Sequence, residues 1–478
     1  MCPPRPPEFH PMPTPFELPL AAGLDAARWV DAGLRVWEAW RMTPAQLSAS
    51  RHRRLVALLE HARAASPFYR QLHAGLPLDA SALTAFPVVD KRTLMNEFDR
   101  VSTRPEVNRR AVERFVSDPA RHGTLFHGRY AVWSSSGSTG QPGWFVHDPD
   151  ALAIYDALEA QRFRGVGLVR SWMPGERYAM VAATGGHFAG VSSLERLRRS
   201  IPWLAPYMRS CSLLQPLPRL VAELNAYAPA IVGTYPTAAE MLAGEQACGR
   251  LRLRLREIWT GGECLAPATR VRLQAVFGCP VRNAYGASEF LPIAWECPHL
   301  NLHVNTDWAI LEPVDAERRP VAPGTRSQSV LLTNLANRVQ PLIRYDLGDA
   351  VTVHDTPCAC GSAFPAITVE GRSDDTLVMP LARGGEGVVV PLALATVLEE
   401  EAHVHDFQVV QTATDKLKIR LGCEEVAAAG AVRQALRAYF RAMGFAEVEL
   451  EIGRQEPRRD QASGKMRRVV REVGHVLH

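Results

Sequence analysis

Several things this 478-residue chain has little of exclude whole classes of protein. Nine cysteines over such a length do not make a disulfide framework, and Cys211, Cys248, Cys279 and Cys423 stand isolated, so a reducing, cytoplasmic location is expected. No apolar run reaches the roughly 20 residues that cross a bilayer. The longest, Gly387 to Leu398, contains Pro391 and lies between Glu386 and Glu399, which argues against a membrane protein. The first residues are proline-rich, carry Arg5 and Glu8 and have no apolar core, so they read as a mobile tail (1–20) and not a signal peptide. Charge of either sign is also scarce in excess: Lys and Arg total 54 against 50 Asp and Glu, a net of +4. A dedicated nucleic-acid binder would show a basic face with interleaved aromatics. The arginine clusters here (Arg252, Arg254, Arg256; Arg458, Arg459, Arg467, Arg468) read instead as solvated helix faces.

What remains is an ordinary globular composition, 47% hydrophobic and 22% charged, in a chain long enough for two or more domains. From Asp25 to His73, apolar residues spaced by three and four (Leu34, Val36, Trp37, Trp40; Leu55, Leu58, Leu59) predict two amphipathic helices, the second closed by Ser66-Pro67. Their tryptophans, Trp29, Trp37 and Trp40, could face a core or a second copy of the chain, so a homodimer is one expectation. Between Tyr130 and Val276, β-rich runs such as Tyr178 to Ala183 and Ile231 to Tyr235 alternate with helical ones such as Thr237 to Cys248, the pattern of α/β units around a largely parallel sheet. From Asn301 to Val353 the texture is β-rich, with turns at Pro323-Gly324 and Leu347-Gly348. After Gly371-Arg372 a strand (His405 to Thr412), another (Leu417 to Leu421), a helix (Ala428 to Met443) and a third strand (Glu447 to Ile452) form a compact α+β unit. The expected fold is α/β: a large N-terminal domain (21–372) of α/β subdomains with a β-rich closing part, and a small, mobile α+β domain (373–478).

The strongest local signal is Ser134 to Gly143, SSSGSTGQPG, after the apolar Ala131-Val132-Trp133. Hydroxyls and glycines after a strand let backbone N–H groups approach phosphate oxygens. No lysine follows the glycines, so this is not the GxxxxGK[ST] loop of kinases and GTPases. A flexible Ser/Gly linker would read the same way in isolation. Further on, Asn283 to Glu289 (NAYGASE) supplies an aromatic face, a glycine and a carboxylate, Tyr345 to Asp349 (YDLGD) another carboxylate, and Gly371 to Asp375 (GRSDD) a cation. Ser463-Gly464-Lys465 offers an exposed lysine near the end.

In this order and spacing the set resembles the adenylate-forming superfamily of acyl-CoA synthetases, peptide-synthetase adenylation domains and luciferases. It is most similar to the phenylacetate-CoA ligase branch, with which Ser66-Pro67-Phe68-Tyr69-Arg70, Phe86-Pro87 before Asp90-Lys91, and Cys297 before Asn301-Leu302-His303-Val304 also agree; the resemblance spans about residues 50 to 470. It implies ATP and Mg²⁺ as cofactors, a small, aromatic carboxylic acid as substrate, and CoA as acceptor. Ser135, Ser136, Gly137, Ser138, Thr139 and Gly140 would hold the phosphates. Tyr285, with Gly286 and Ser288 beside it, would lie against the adenine, Glu289 would ligate Mg²⁺, Asp349 would take the ribose hydroxyls, and Arg372 would contact ribose or phosphate. Lys465 would bridge the carboxylate and the α-phosphate, unless it is only a solvated terminal lysine. Asp374 occupies the hinge position, or is simply a turn residue. His187, Phe188, Tyr235 and Gly262 would line the acyl pocket, although His187 fits a structural role equally well.

Two departures bear on this. Gln141 and Gly143 stand where the family usually has a lysine and a threonine. After Asp375 the chain reads TLVMPLARGGEGVVVP where CoA ligases of the branch carry a short loop beside the pantetheine tunnel. Adenylation is untouched by this change, but the acceptor is left open between CoA, a carrier-protein thiol and an amine, as is activation of a non-carboxylate such as nitrite or a non-catalytic, nucleotide-binding role. Separately, Cys358-Ala359-Cys360-Gly361 pairs two thiols at a turn, and with Cys297 and His303 it composes a Cys₃His set suited to tetrahedral structural Zn²⁺; small buried thiols and an unrelated histidine are the alternative.

Overall fold

The computed structural model describes residues 26–78, 80–135, 143–160, 176–370, 377–389, 391–404, 407–422, 427–453, 455–458 and 468–472. The roles expected of Ser136, Gly137, Ser138, Thr139, Gly140, Arg372, Asp374 and Lys465 concern residues outside these ranges.

The N-terminal region folds into helices α1 (Ala26–Ala39), α2 (Pro44–Ala65), α3 (Pro67–Leu72), α4 (Lys91–Asn96), α5 (Phe98–Val101) and α6 (Arg109–Val116). Thr43 starts α2 with a capping box: its hydroxyl accepts from Gln46 N, the Gln46 side chain accepts from Thr43 N, and Pro44 takes the first turn, where a missing N–H costs nothing. Where the periodicity predicts one helix after residue 44 there are two in succession. Ser66 ends α2 and caps α3 through its hydroxyl, because Pro67 disfavours helical geometry at the residue before it. Of the α1 tryptophan region, Trp40 packs inward on Trp295 at 4.6 Å and Trp29 lies against the core, while Val30 and Leu34 stay exposed.

A hairpin of β1 (Ala131–Ser135) and β2 (Gly143–His147) precedes α7 (Pro149–Ala160). The predicted alternation follows: β3 (Tyr178–Ala182), α8 (Ala189–Ser200), β4 (Met208–Ser212), α9 (Leu217–Tyr227), β5 (Ile231–Thr234), α10 (Pro236–Ala247), β6 (Glu257–Thr260), α11 (Pro267–Phe277) and β7 (Val281–Ala287). Next come β8 (Phe290–Glu296), β9 (Leu302–Val304), β10 (Ala309–Val314), β11 (Ser329–Asn334), β12 (Tyr345–Asp346), β13 (Ala350–Val353) and β14 (Ala366–Glu370). One nine-stranded sheet has the order β13-β14-β9-β8-β7-β6-β5-β3-β4. Its β4 to β7 half is parallel and its β8 to β13 half antiparallel, so the direction changes at β7. The four residues of β5 are all buried, as expected for a parallel strand covered on both faces. Strands β10, β11 and β12 form a separate sheet.

After residue 376 come β15 (Leu377–Pro380), β16 (Glu386–Val389), α12 (Pro391–Glu400), β17 (Phe407–Ala413), β18 (Lys416–Leu421), α13 (Ala429–Met443), β19 (Glu449–Gly453) and β20 (Val469–Arg471). Strands β17 to β20 make a sheet of their own, in the order β19-β18-β17-β20. The unfamiliar stretch after Asp375 thus proves to be the hairpin β15–β16 followed by α12. A core runs from Val232, Leu242 and Ile258 into Leu377, Met379, Val389 and Phe407, and at the hairpin tip Arg383 Nη2 donates to Glu245 Oε1 of α10 at 2.8 Å.

Asp307, between β9 and β10, is 1% exposed and its carboxylate oxygens find no hydrogen-bond partner among the described residues. Burial pushes its carboxyl up to about 7, against the pull of Arg54, which stands 4.0 Å away and stacks on Trp308 at 3.7 Å. The folded state therefore holds a proton the unfolded chain has released between about pH 4 and 7, and stability falls as pH rises through that window. Asp307→Asn should remove that slope, leaving the variant more stable than wild type at pH 8 by roughly 4 kcal/mol at most, for a shift of about 3 pH units. Urea midpoints measured from pH 4 to 8 check this; parallel slopes for the two proteins would contradict it.

Candidate active site and metal centre

Parallel strands deliver their carboxyl ends to one edge of a sheet, and there the loops after β3, β5, β6 and β7 meet. These loops carry His187 and Phe188, Tyr235, Gly262, and Ser288 with Glu289. The β1–β2 hairpin joins them: Ser134 N donates to His187 O at 2.8 Å, and Ser134 bridges to Phe188 in parallel. Ser135 pairs with Gly143 in the hairpin register, so the phosphate-loop candidate is flanked on both sides by residues at this edge.

Tyr285 and Glu289 belong to the tight β7–β8 connection. The register slips between Tyr285 and Ala287, and at Gly286 any Cβ would come within 1.8 Å of Leu291 O, so only glycine fits. Tyr285 Oη donates to Asp349 Oδ2 at 2.9 Å, joining two motifs that lie over sixty residues apart in sequence. Glu289 is buried, and burial raises its carboxyl above the usual range; Lys91 and a hydrogen bond from Tyr345 pull it back, and Asp349 pushes it up further. A buried carboxylate beside a second carboxylate fits a divalent cation, which usually takes one or two carboxylates plus phosphate oxygens. The Ser135 hydroxyl is also buried and finds no partner among the described residues, as a phosphate-facing donor would. Lys91 reaches this corner from the first turn of α4, where Asp90 caps the helix through Thr93 N. A Cβ on Gly143 would lie 2.6 Å from Lys91 Cε and 2.8 Å from Ser135 Oγ, so the bare glycine makes room for the lysine.

A buried polar frame holds the β7–β8 turn. His147, buried between Trp133 and Tyr155, donates from Nε2 to Ser288 O at 2.9 Å, which leaves Nδ1 to accept from Tyr155 Oη at 3.2 Å. Burial pushes this imidazole down to about 3, so it stays neutral. Asn334 Nδ2 donates to Glu289 O at 3.0 Å and to Tyr155 Oη at 2.8 Å, and Ser288 Oγ donates to Ser134 O at 2.9 Å. None of His147, Tyr155 and Asn334 carries a sequence signal, because each matters only through partners scattered over some two hundred residues. Lys91 stands in a recognisable Asp-Lys pair, but nothing in the sequence aims it at Glu289.

On the acyl side, the His187 ring is 2% exposed, 5.1 Å from Phe115 and 4.8 Å from His122. Its Nε2 has no partner among the described residues, and burial, helped by His122, pushes it down to about 4. A neutral imidazole can offer a hydrogen bond to a bound acid. Tyr235 covers Gly262, with ring carbons 3.2 Å from where a Cβ would be. Glu263, next in the chain, accepts from Thr237 N at 3.1 Å and Thr237 Oγ1 at 2.7 Å, which ties this loop to the start of α10.

At the other end of β8, Cys297, His303, Cys358 and Cys360 place their ligand atoms all within 4.8 Å of one another. The Cys297 and Cys358 sulfurs are 3.7 Å apart, and Cys360 Sγ lies 3.3 Å from His303 Nε2. Zn–S bonds of about 2.3 Å in a tetrahedron give S···S edges of roughly 3.8 Å, so the set fits zinc. His303 Nδ1 donates to Phe364 O at 2.7 Å, which turns the Nε2 lone pair toward the sulfurs, the usual outer-shell arrangement. Burial raises the Cys358 thiol, but the Cys360 N–H and Asn301 Nδ2, 3.2 Å from its sulfur, outweigh that and lower it, favouring the thiolate that binds metal.

The parallel-to-antiparallel sheet, its loop edge and the separate C-terminal sheet define an adenylate-forming enzyme fold. The AMP-binding enzyme family matches residues 48–325, and the chain belongs to that family. It is 24% identical over 206 residues to protein CapK of Staphylococcus aureus, a match spanning 42% of this chain and 43% of CapK, less than half of either. Among solved structures it is similar to 2-hydroxyisobutyryl-CoA ligase. The open form with 2-HIB-AMP and CoA matches at TM-score 0.54 and 23% identity, covering 90% of this chain and 92% of that one. The thioesterification state matches at TM-score 0.57 and 23% identity, covering 89% and 90%. No helix among the described residues is long and apolar enough to cross a membrane.

Proposed function

We propose that the protein is an AMP-forming ligase that adenylates a small, aromatic carboxylic acid and hands the acyl group to a nucleophile. The observation that carries this is the joining of Tyr285, Asp349, Glu289 and Ser135 at one sheet edge, beside the loops of His187 and Tyr235. In this reading the acid's carboxylate oxygen attacks the α-phosphorus of ATP, the bond to the β-phosphate breaks, and pyrophosphate leaves. The acceptor then attacks the acyl carbonyl and AMP departs. Catalysis is positioning plus electrostatics. Tyr285 and Asp349 hold the nucleoside, Ser135 to Gly140 the phosphates, Arg372 the ribose or a phosphate, and Lys465 the carboxylate and α-phosphate; 373–478 acts as a cap turning about Asp374. Mg²⁺ held by Glu289 would shield the triphosphate charge. The Cys297, His303, Cys358 and Cys360 set holds a structural Zn²⁺. Few, mostly isolated cysteines in so long a chain support a cytoplasmic location.

CoA is the first acceptor to test. A second reading, transfer to a carrier-protein thiol or an amine, is supported by the β15–β16 hairpin, which stands where the branch has its short loop and is engaged with α10 through Arg383 and Glu245. ATP–pyrophosphate exchange over a panel of phenylacetate, benzoate and aliphatic acids is expected to show acid-dependent exchange strongest with an aromatic acid, followed by CoA-dependent AMP release. Exchange with no acid would overturn the function; AMP release indifferent to CoA would leave the second reading.

A further inference from the structure

We infer that Asp346 is a positioning residue for Asp349; this rests on the nucleoside-holding role proposed above for Asp349. Strand β12, Tyr345 and Asp346, pairs with β11 in the three-stranded sheet, whereas β13 begins at Ala350 in the nine-stranded one. The chain therefore crosses from one sheet to the other within residues 347–349. No strand register sets the direction of Asp349, so the turn before it has to.

Asp346 builds that turn with its side chain. Its Oδ1 accepts from Gly348 N at 3.0 Å, the two-residue reach by which Asp and Asn side chains stand in for a backbone turn. Gly348 sits at φ +77°, where glycine enters freely but is equally free to leave. The carboxylate is itself held from two sides. Ser329 of β11, 2% exposed, donates from Oγ to the same Oδ1, and Arg318 Nη2 lies 2.5 Å from Oδ2. The backbone is pinned up to this point, with Asp346 N donating to Val89 O at 2.9 Å and Leu347 N to Val330 O at 3.1 Å. Beyond Leu347 the hold on Gly348 comes from Asp346, and the next residue arrives with its Oδ2 accepting from Tyr285 Oη at 2.9 Å. Without the Asp346 acceptor the glycine is released, and Asp349 loses the direction that brings it to Tyr285.

The test titrates wild type, Asp346→Ala and Asp346→Asn calorimetrically with ATP and with 2′,3′-dideoxy-ATP, which lacks the hydroxyls Asp349 would take. Wild type should bind ATP about 10-fold tighter or more, since hydrogen bonds to a charged group are at stake. Asp346→Ala should erase most of that preference by weakening ATP alone. ATP–pyrophosphate exchange with the best acid of the panel should show the same change as a raised KM for ATP, with the KM for the acid near wild type. Asp346→Asn keeps an acceptor for Gly348 N and should recover most of the preference. An equal loss for both nucleotides would mark a merely structural role and overturn the inference. So would a wild-type preference in Asp346→Ala, or in Asp346→Gln, whose longer side chain overshoots Gly348 N, should the alanine variant fail to fold. An asparagine variant as poor as alanine would overturn it too. Wild type that does not distinguish the two nucleotides would refute instead the role of Asp349, and the inference with it, while acid-dependent exchange would still uphold the adenylating function.

Discussion

Lys465→Ala is expected to reduce acid-dependent ATP–pyrophosphate exchange by about 100- to 1000-fold, the range seen when one preorganised electrostatic contact to a developing charge is removed. The reasoning is one of charge. A carboxylate approaching the α-phosphorus of ATP brings two anions together, and each must be met by donors that are already in place. Within the site the described groups supply a hydroxyl at Ser135 and a cation at Lys91, and Lys91 is held against Glu289 and Gly143, on the phosphate-loop side. The cation between acid and α-phosphate has to come from elsewhere, and Lys465, which follows a Ser-Gly pair, is its proposed source. ATP binding should survive the change, because the nucleoside contacts are proposed for Tyr285 and Asp349, not for Lys465. Stopped exchange with retained ATP affinity is the expected pair of results; retained exchange would remove Lys465 from the mechanism.

The second large effect is expected at the Cys/His cluster. Purified protein should carry about one zinc per chain by mass spectrometry of the metal, and Cys358→Ser combined with Cys360→Ser should lose it, since two of four ligands disappear. Destabilisation on the order of several kcal/mol should follow, less than the ~10 kcal/mol or more of small zinc-folded peptides, because the strands around this site have cores of their own. The loss should also reach the N-terminal helices. Trp40, just after α1, packs on Trp295, Trp295 stacks on His303 at 5.1 Å, and Phe364, whose carbonyl accepts from His303, clusters with Ala39 and Leu47, so tryptophan emission is a direct readout. Exchange activity of the folded fraction should persist. Glu289 and Cys297 flank the seven-residue strand β8 at its opposite ends, eight residues and so roughly 27 Å apart at about 3.4 Å per residue. Metal-free protein with an unchanged thermal midpoint would refute a zinc site.

Much of this protein was legible before any coordinates. The alternation from Tyr178 to Val276 announces parallel α/β units because buried strands and half-buried helices need different spacings of apolar residues, and that spacing is written locally. Cys297, His303, Cys358 and Cys360 could be proposed as a set because thiols and imidazoles are rare enough to stand out. Helix α3 beyond the break at Ser66, the hairpin β15–β16 and helix α12 are absent from that reading, the last because Gly387 to Leu398 is weighed there only as a membrane span. More of what matters lies in pairings between distant residues. The sequence alone determined the type and order of the elements and the identity of the chemical groups, since periodicity, caps and side-chain chemistry act within a few residues. Tertiary structure alone decided that Lys91 faces Glu289 and that His147 and Asn334 hold the β7–β8 turn. Those are contacts across tens to hundreds of residues, and a buried polar group takes its role from whichever partner the packed core brings to it.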